Sequence, residues 1–224
     1  MDPALFLIPY AVAVVALLVR STIVNSPGGI EAWQVKRRHR RTASSAIGEL
    51  PENELGQITG RVAAFERTLT APLSGHPCVY YALVVLEYRA TTKRWRACVN
   101  ERRGVGFVLA DRTGRAIIDP SNAQLALDFD HMERLGYFDS ATDVQRAILD
   151  RHGIRAEGVL FTKRLRFHEA VIAVGDNLAA IGAGIREPDL ASPRESDYRA
   201  AYPTRLHVTN SASAPLSLMH ESQR

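Results

Sequence analysis

The sequence predicts a mainly β domain, antiparallel and either barrel-like or sandwich-like, with an α-helical insertion and one N-terminal transmembrane helix before it. Three observations support this class. The first two dozen residues are almost entirely apolar, strand-length apolar runs separated by turns follow from residue 57, and the strand pattern stops over residues 121–153. With 224 residues, 46% of them hydrophobic, the chain can bury a core, and wholesale disorder is excluded.

The N-terminal segment is predicted to span a membrane. Ala4 to Val19 include no charged side chain, and Arg20 can extend its stem so that residues 4–24 form one span. A cleaved signal peptide would need a positive start, and a buried soluble helix would show a polar face, so both alternatives are weaker. Positive charge follows the span, which places the N-terminus outside and the rest in the cytoplasm. The 25 arginines against three lysines indicate a GC-rich bacterial genome, hence a bacterial inner membrane.

Residues 25–54 are predicted to be a basic juxtamembrane linker. Five basic residues lie within residues 36–41, and removing their charge from the net +4 leaves −1 for the remainder. A remainder so close to neutral argues against a nucleic-acid partner. The run is either a solvated charge cluster or a contact for anionic lipid headgroups. The candidate headgroup contacts are Arg20, Lys36, Arg37, Arg38, Arg40 and Arg41.

The β domain is predicted to cover residues 55–220. Val, Tyr and Leu over residues 77–88 favour a long strand buried on both faces, and the Asp111–Gly114 turn joins two short apolar runs into a hairpin. Gly182 and Gly184 mark places where backbones approach closely. Predicted strands cover residues 58–65, 77–88, 94–100, 105–110, 116–118, 165–174, 178–185, 205–209 and 215–219.

The insertion, about residues 121–153, is predicted to be helical. Apolar residues at helical spacing favour a helix over residues 141–149, with Asp139 or Ser140 as its cap and Gly153 at its end. Residues 125–135 are predicted to form a second short helix. Residues 187–204 contain several prolines and charges and are predicted to be a loop.

A search for chemistry gives only weak candidates. The chain has two cysteines, no Cys-x-x-Cys pair and scattered histidines, so neither a metal site nor a cofactor is expected. His76 and Cys78 lie on one face of a strand, which suits an activated thiolate, although a buried structural cysteine is the commoner outcome. Glu169 lies in an apolar strand and needs a partner, for which an arginine is the expected choice.

One stretch resembles a known family. Residues 70–81, TAPLSGHPCVYY, resemble the signature of the GIDE or BAM ("beside a membrane") domain. The hairpin FVLADRTG at residues 107–114 is similar to a later family motif, as are Glu169, Gly175-Asp176 and Ala180 to Gly182. Pro72, Gly75, Tyr80, Asp111 and Gly114 then correspond to turn and core positions.

The resemblance implies a domain beside membrane helices, related to organelle-membrane E3 ubiquitin ligases. Those ligases act through a C-terminal RING finger, and this sequence contains no RING ligand set, so the catalytic role does not carry over. We therefore expect a non-catalytic module that binds an unidentified protein or senses a ligand at a membrane surface. The alternatives are an E3-like component, a thiol enzyme using Cys78, and a sensor of anionic lipid; a small-molecule ligand is also possible.

Overall fold

The structure, a computed structural model, describes residues 29–155, 163–189, 204–210 and 215–221. Two helices and thirteen strands are described in these ranges. The helices are α1 (Gly29–His39) and α2 (Asp143–Arg151). The strands are β1 (Ser44–Ser45), β2 (Gly56–Ala64), β3 (Leu69–Thr70), β4 (Pro77–Arg89), β5 (Arg94–Gly104), β6 (Phe107–Ala110), β7 (Arg115–Ile118), β8 (Gln124–Ala126), β9 (His131–Leu135), β10 (Leu165–Ala173), β11 (Asn177–Pro188), β12 (Thr204–Thr209) and β13 (Ser217–His220).

Five strands close into a barrel. β2 pairs with β6, β6 with β7, β7 with β12, β12 with β11, and β11 returns to β2. The strands β1, β13 and β8 extend this sheet. The prediction of a mainly β, barrel-like fold is therefore confirmed. The close backbone approach predicted at Gly184 is confirmed, because a Cβ there would lie 2.7 Å from the His207 carbonyl oxygen. At Gly182 a Cβ would instead meet a side chain, with Val208 Cγ1 at 2.6 Å.

The other five strands form a second, half-barrel sheet. β4 lies at its centre, with β10 on one edge and both β3 and β5 on the other, and β9 pairs with the far edge of β10. On one face Tyr80 and Ile172 pack into the barrel core. On the opposite face, Leu83 and Phe167 pack against α2. A buried aromatic or aliphatic side chain contributes roughly 1.5–3 kcal/mol, so α2 is held mainly by this apolar contact.

The insertion is less helical than the sequence indicates. The helix predicted over residues 125–135 is wrong, because that stretch forms β8 and β9. β8 runs parallel to β13, and β9 runs antiparallel to β10. The helix predicted over residues 141–149 is present as α2, but Thr142 is its cap, in a reciprocal hydrogen-bonded pair with Gln145. Gly153, at φ 65°, lies just beyond its end, as predicted.

Part of the predicted linker is folded onto the β domain. α1 packs against β8 and β13. Ile47 and Leu50 are buried in the barrel core, where Arg186 donates to the carbonyl oxygens of residues 47, 48 and 50. This part of residues 25–54 therefore packs on the β domain rather than acting as a free linker. The sequence does not reveal this, because Ile47 and Leu50 are single apolar residues in a polar stretch and their contacts are distant in sequence. The domain boundaries themselves stay a prediction.

The membrane location expected from the sequence is contradicted. Among the described residues no helix is long and apolar enough to cross a bilayer. α1 has 11 residues and α2 has nine, whereas a span needs about 20. The predicted span itself, residues 4–24, and Arg20 with it, lies outside the described residues.

Candidate functional site

The signature stretch folds into a tight turn between β3 and β4. The Gly75 N–H donates to the Ala71 carbonyl and the Ala71 N–H to the His76 carbonyl, each at 2.9 Å. Gly75 has a φ of 72°, a conformation that favours glycine. Ala71 and Leu73 are buried, so the apolar residues of the motif are core residues. We call residues 71–76 the signature turn.

Glu169 fastens the signature turn to β10. Its carboxylate is fully buried, and it accepts hydrogen bonds from the Leu73 N–H at 2.7 Å and the Ser74 N–H at 2.9 Å, one on each oxygen. A buried carboxylate needs such donors to offset its lost hydration. The prediction of an arginine partner is wrong, because the partners are two backbone N–H groups. Such partners cannot be identified from side-chain types in the sequence.

Cys78 and His76 lie beside the same turn, yet they do not form a catalytic pair. Burial, and then the charge of Glu169, raise the pKa of the Cys78 thiol to about 11. The nucleophilic form of cysteine is the thiolate, so Cys78 stays a neutral thiol at pH 7. His76 is exposed, and its ring centre lies 5.1 Å from that of His131, which is opposite Glu169 in the β9–β10 pairing. The structure thus gathers His76, Cys78 and Glu169 at one turn; a functional role for them stays a prediction.

A polar cluster lies next to this turn, and the sequence analysis does not predict it. The Tyr81 hydroxyl donates to Glu101 at 2.7 Å, and Glu101 also contacts Arg103, Arg151 and His152. Burial raises the pKa of Glu101, but these four donors outweigh it and leave the pKa below its usual value. Burial and the Glu101 contact raise the pKa of Tyr81 to about 12. The cluster ties the C-terminal end of α2 to the sheet; its members are far apart in sequence and carry no motif.

The basic run lies on α1 and the turn after it, and it is partly tied to the fold. Lys36 pairs with Asp128 at 3.3 Å, and Arg38 Nη1 donates to the Pro215 carbonyl at 3.0 Å. His39 is buried, which lowers its pKa to about 4. Three other candidates for headgroup contact have no carboxylate or carbonyl partner among the described residues; these are Arg37, Arg40 and Arg41. Their contact with lipid stays a prediction from the sequence.

The opposite end of the second sheet presents an aromatic surface covered by arginines. We call residues 86–97 and 163–167 the hairpin end; they comprise the β4–β5 turn with its flanking strand residues and the start of β10. Tyr88 and Trp95 lie opposite each other, with ring centres 5.4 Å apart. The Arg166 guanidinium lies 4.0 Å from the centre of the Trp95 ring, and that of Arg164 lies 4.9 Å from Tyr88. All four side chains are only partly buried.

The hairpin end is strongly basic. It contains seven Lys or Arg residues and one acidic residue, Glu87. Glu87 pairs with Arg89 at 3.0 Å and with Lys163 at 3.7 Å. Within the part of the chain that the structure describes, the remaining five contact no carboxylate; these are Lys93, Arg94, Arg96, Arg164 and Arg166. The sequence contains all of these residues, but only the β4–β10 pairing brings residues 164 and 166 to residues 88 and 95.

A cleft of about 800 Å³ opens where β5 ends, between the two sheets. Its lining includes Arg102 and the buried Tyr80. Arg102 donates two hydrogen bonds to the Glu31 carboxylate, at 3.1 and 3.3 Å. Burial raises the pKa of Tyr80 to about 12, so its hydroxyl stays protonated. In the described residues no group of three or more His, Cys, Asp or Glu side chains is placed to hold a metal ion.

Comparison with known proteins gives one match. The model of a family described as "GIDE: E3 Ubiquitin ligase" matches residues 85–205, more than half of the chain. The match contains the hairpin end, Glu101, α2 and Glu169, and it begins just after the signature turn. No curated protein and no solved structure matches the chain.

Proposed function

The chain belongs to the GIDE family, whose description relates it to E3 ubiquitin ligases, and from that premise we propose that it is a non-catalytic domain that binds another protein. The observation that carries the proposal is the hairpin end. There, a tryptophan and a tyrosine with arginines over their rings lie at the surface, and most of the basic groups have no acidic partner among the described residues.

The composition of the hairpin end is that of a protein interface. Trp, Tyr and Arg are the residues that contribute most to binding at such interfaces. Stacking restricts the Arg164 and Arg166 side chains before any partner arrives, which lowers the entropy lost on binding. A guanidinium stacked on a ring keeps its N–H edge free to donate to a carboxylate.

Three described groups that could serve catalysis are already used within the fold. Glu169 holds the signature turn, Glu101 holds the end of α2, and Cys78 is a buried thiol with a raised pKa. None of these presents a reactive group to solvent. These three groups act within the fold, whereas the arginines and aromatic rings of the hairpin end lie at the surface, and this difference supports binding over catalysis as the role of the domain.

The experiment is a quantitative co-purification from the source cells with the full chain, comparing wild type, Trp95→Ala and Trp33→Ala. Trp33 is a matched control, because it is the other tryptophan of the chain and also has an arginine, Arg37, over its ring at 5.3 Å. We expect a stoichiometric partner with wild type and Trp33→Ala, and at least about tenfold less of it with Trp95→Ala. Equal recovery with all three proteins would remove the hairpin end as the binding surface.

Ubiquitin transfer is the second candidate function, and the family match is what favours it. It is tested by incubating the full chain with ubiquitin, ATP, an activating enzyme and a panel of conjugating enzymes. We expect no ubiquitin conjugates that depend on the chain. Their formation at a rate that Trp95→Ala leaves unchanged would replace the binding proposal with a catalytic one.

A further inference from the structure

We propose that the hairpin end binds an acidic, extended segment of a protein partner, which adds as a strand to the free edge of β5. This inference rests on the proposed binding function and specifies the chemistry of the partner. It is carried by three features: a strand edge and nearby positive charges that have no partner in the described residues, and aromatic rings with guanidinium groups over them.

The first feature is the edge of β5. One edge of β5 pairs with β4, and in the described part of the chain no strand pairs with the other. β5 has 11 residues, about twice the mean strand length. Proteins usually keep open edges short or covered, because exposed N–H and C=O groups recruit further strands. A long open edge is therefore suited to strand addition by a partner.

The second feature is charge. Arg94 and Arg96 project from one face of β5, and Trp95 projects from the other. Arg166 belongs to β10, but its guanidinium reaches across β4 to Trp95, so that it lies near the edge strand. A strand added to β5 would meet guanidinium groups on both of its faces. Like charges would repel a second copy of β5, whereas carboxylates would be attracted.

The third feature distinguishes an acidic peptide from nucleic acid, which the same charge would attract. Single-stranded nucleic acid binds where bases can stack on open aromatic faces. At the hairpin end, Arg166 covers the Trp95 ring and Arg164 covers the Tyr88 ring. The free N–H edges of these guanidinium groups and the β5 ladder both suit a carboxylate-bearing peptide.

The test is fluorescence anisotropy with the full chain and a labelled 11-residue peptide, the length of β5, that alternates Glu with Val. We expect salt-sensitive binding that weakens about tenfold in Arg94→Glu/Arg96→Glu. The matched control is Arg40→Glu/Arg112→Glu, which makes the same charge change at two exposed arginines outside the hairpin end; it should bind as wild type. A peptide N-methylated at alternate residues keeps its charge but cannot extend the ladder, and it should bind at least about tenfold more weakly.

The remaining outcomes separate the alternatives. Equal binding of the N-methylated peptide, or no slowing of hydrogen exchange in β5 on binding, would overturn strand addition. Tighter binding of poly(U) RNA than of the peptide, dependent on Arg94 and Arg96, would overturn the peptide assignment. If no peptide binds while Trp95-dependent co-purification persists, the acidic-strand inference fails and the proposed function stands. If neither peptide binding nor Trp95-dependent co-purification is observed, the hairpin end is not a binding surface.

Discussion

The β4–β10 strand pair carries opposite arrangements of polar groups at its middle, where Glu169 lies opposite Leu83, and at the hairpin end. At the signature turn, Glu169 is fully buried and each of its oxygens accepts a backbone N–H. At the hairpin end, Arg164 and Arg166 lie on aromatic rings at the surface, and no carboxylate of the described residues pairs with them. The same strand pair thus places a carboxylate with both oxygens hydrogen-bonded at its middle, and arginines without a carboxylate partner in the described residues at the hairpin end. The difference separates residues that maintain the structure from residues available to a partner.

The largest effect on stability should follow from removing the buried Glu169 carboxylate. Glu169→Ala removes the acceptor of the buried Leu73 N–H and the part-buried Ser74 N–H, which should lower the free energy of unfolding by about 3 kcal/mol. Glu169→Gln keeps one acceptor oxygen, so its free energy of unfolding should fall by less. Urea unfolding measures both, with Glu66→Ala as the exposed control. A midpoint for Glu169→Ala that matches the control would show that the turn does not depend on this carboxylate.

A smaller effect is expected from the cluster beside the turn. Tyr81→Phe removes the hydroxyl that donates to Glu101 at 2.7 Å and should cost about 1 kcal/mol at pH 7. The pKa of Glu101 is lowered in the folded state, so its contribution is present above the unfolded pKa and is lost as pH falls through the folded value.

The difference between wild type and Tyr81→Phe should therefore shrink as pH falls through the lowered pKa of Glu101, where the carboxylate protonates. Urea unfolding from pH 7 to pH 3 measures this trend. A difference that stays constant across that range would mean that the hydroxyl acts through packing rather than through the Glu101 carboxylate.

The smallest effect on stability should come from the hairpin end. Trp95→Ala removes a partly exposed ring and its contact with Arg166, so the free energy of unfolding should fall by no more than about 1 kcal/mol. Binding of the partner should nevertheless fall at least about tenfold. Thermal unfolding and co-purification of the same variant test the two statements together. A large loss of stability with unchanged binding would show that Trp95 maintains the fold rather than contacting a partner.

The strands could largely be predicted from the sequence because their apolar patterns are local. The strand expected at residues 77–88 is β4 (Pro77–Arg89), and the hairpin around Asp111 is present as β6 and β7. The helix predicted over residues 125–135 is wrong, since β8 pairs with β13 about ninety residues later and that long-range pairing decides its conformation.

The candidate site was less predictable for the same reason. The contiguous charge of residues 36–41 is conspicuous in the sequence, yet the folded protein ties down Lys36 and Arg38 and buries His39. The charge of the hairpin end is divided between two stretches about seventy residues apart, so it becomes a single surface only when β10 pairs with β4. The sequence indicates that Glu169 needs a partner, but its partners are backbone amides, which no side-chain identity can reveal.

Closure of the barrel affects the order in which the chain folds. β2, at residues 56–64, completes the barrel by pairing with β11, at residues 177–188. At a synthesis rate of about 5–20 residues per second, β2 waits on the order of ten seconds for its partner on the ribosome. The β4–β5 hairpin needs only adjacent residues and can form within microseconds. Pulse-labelled hydrogen exchange during refolding should therefore protect β4 and β5 before β2, and the reverse order would show that the long-range pairing nucleates the fold.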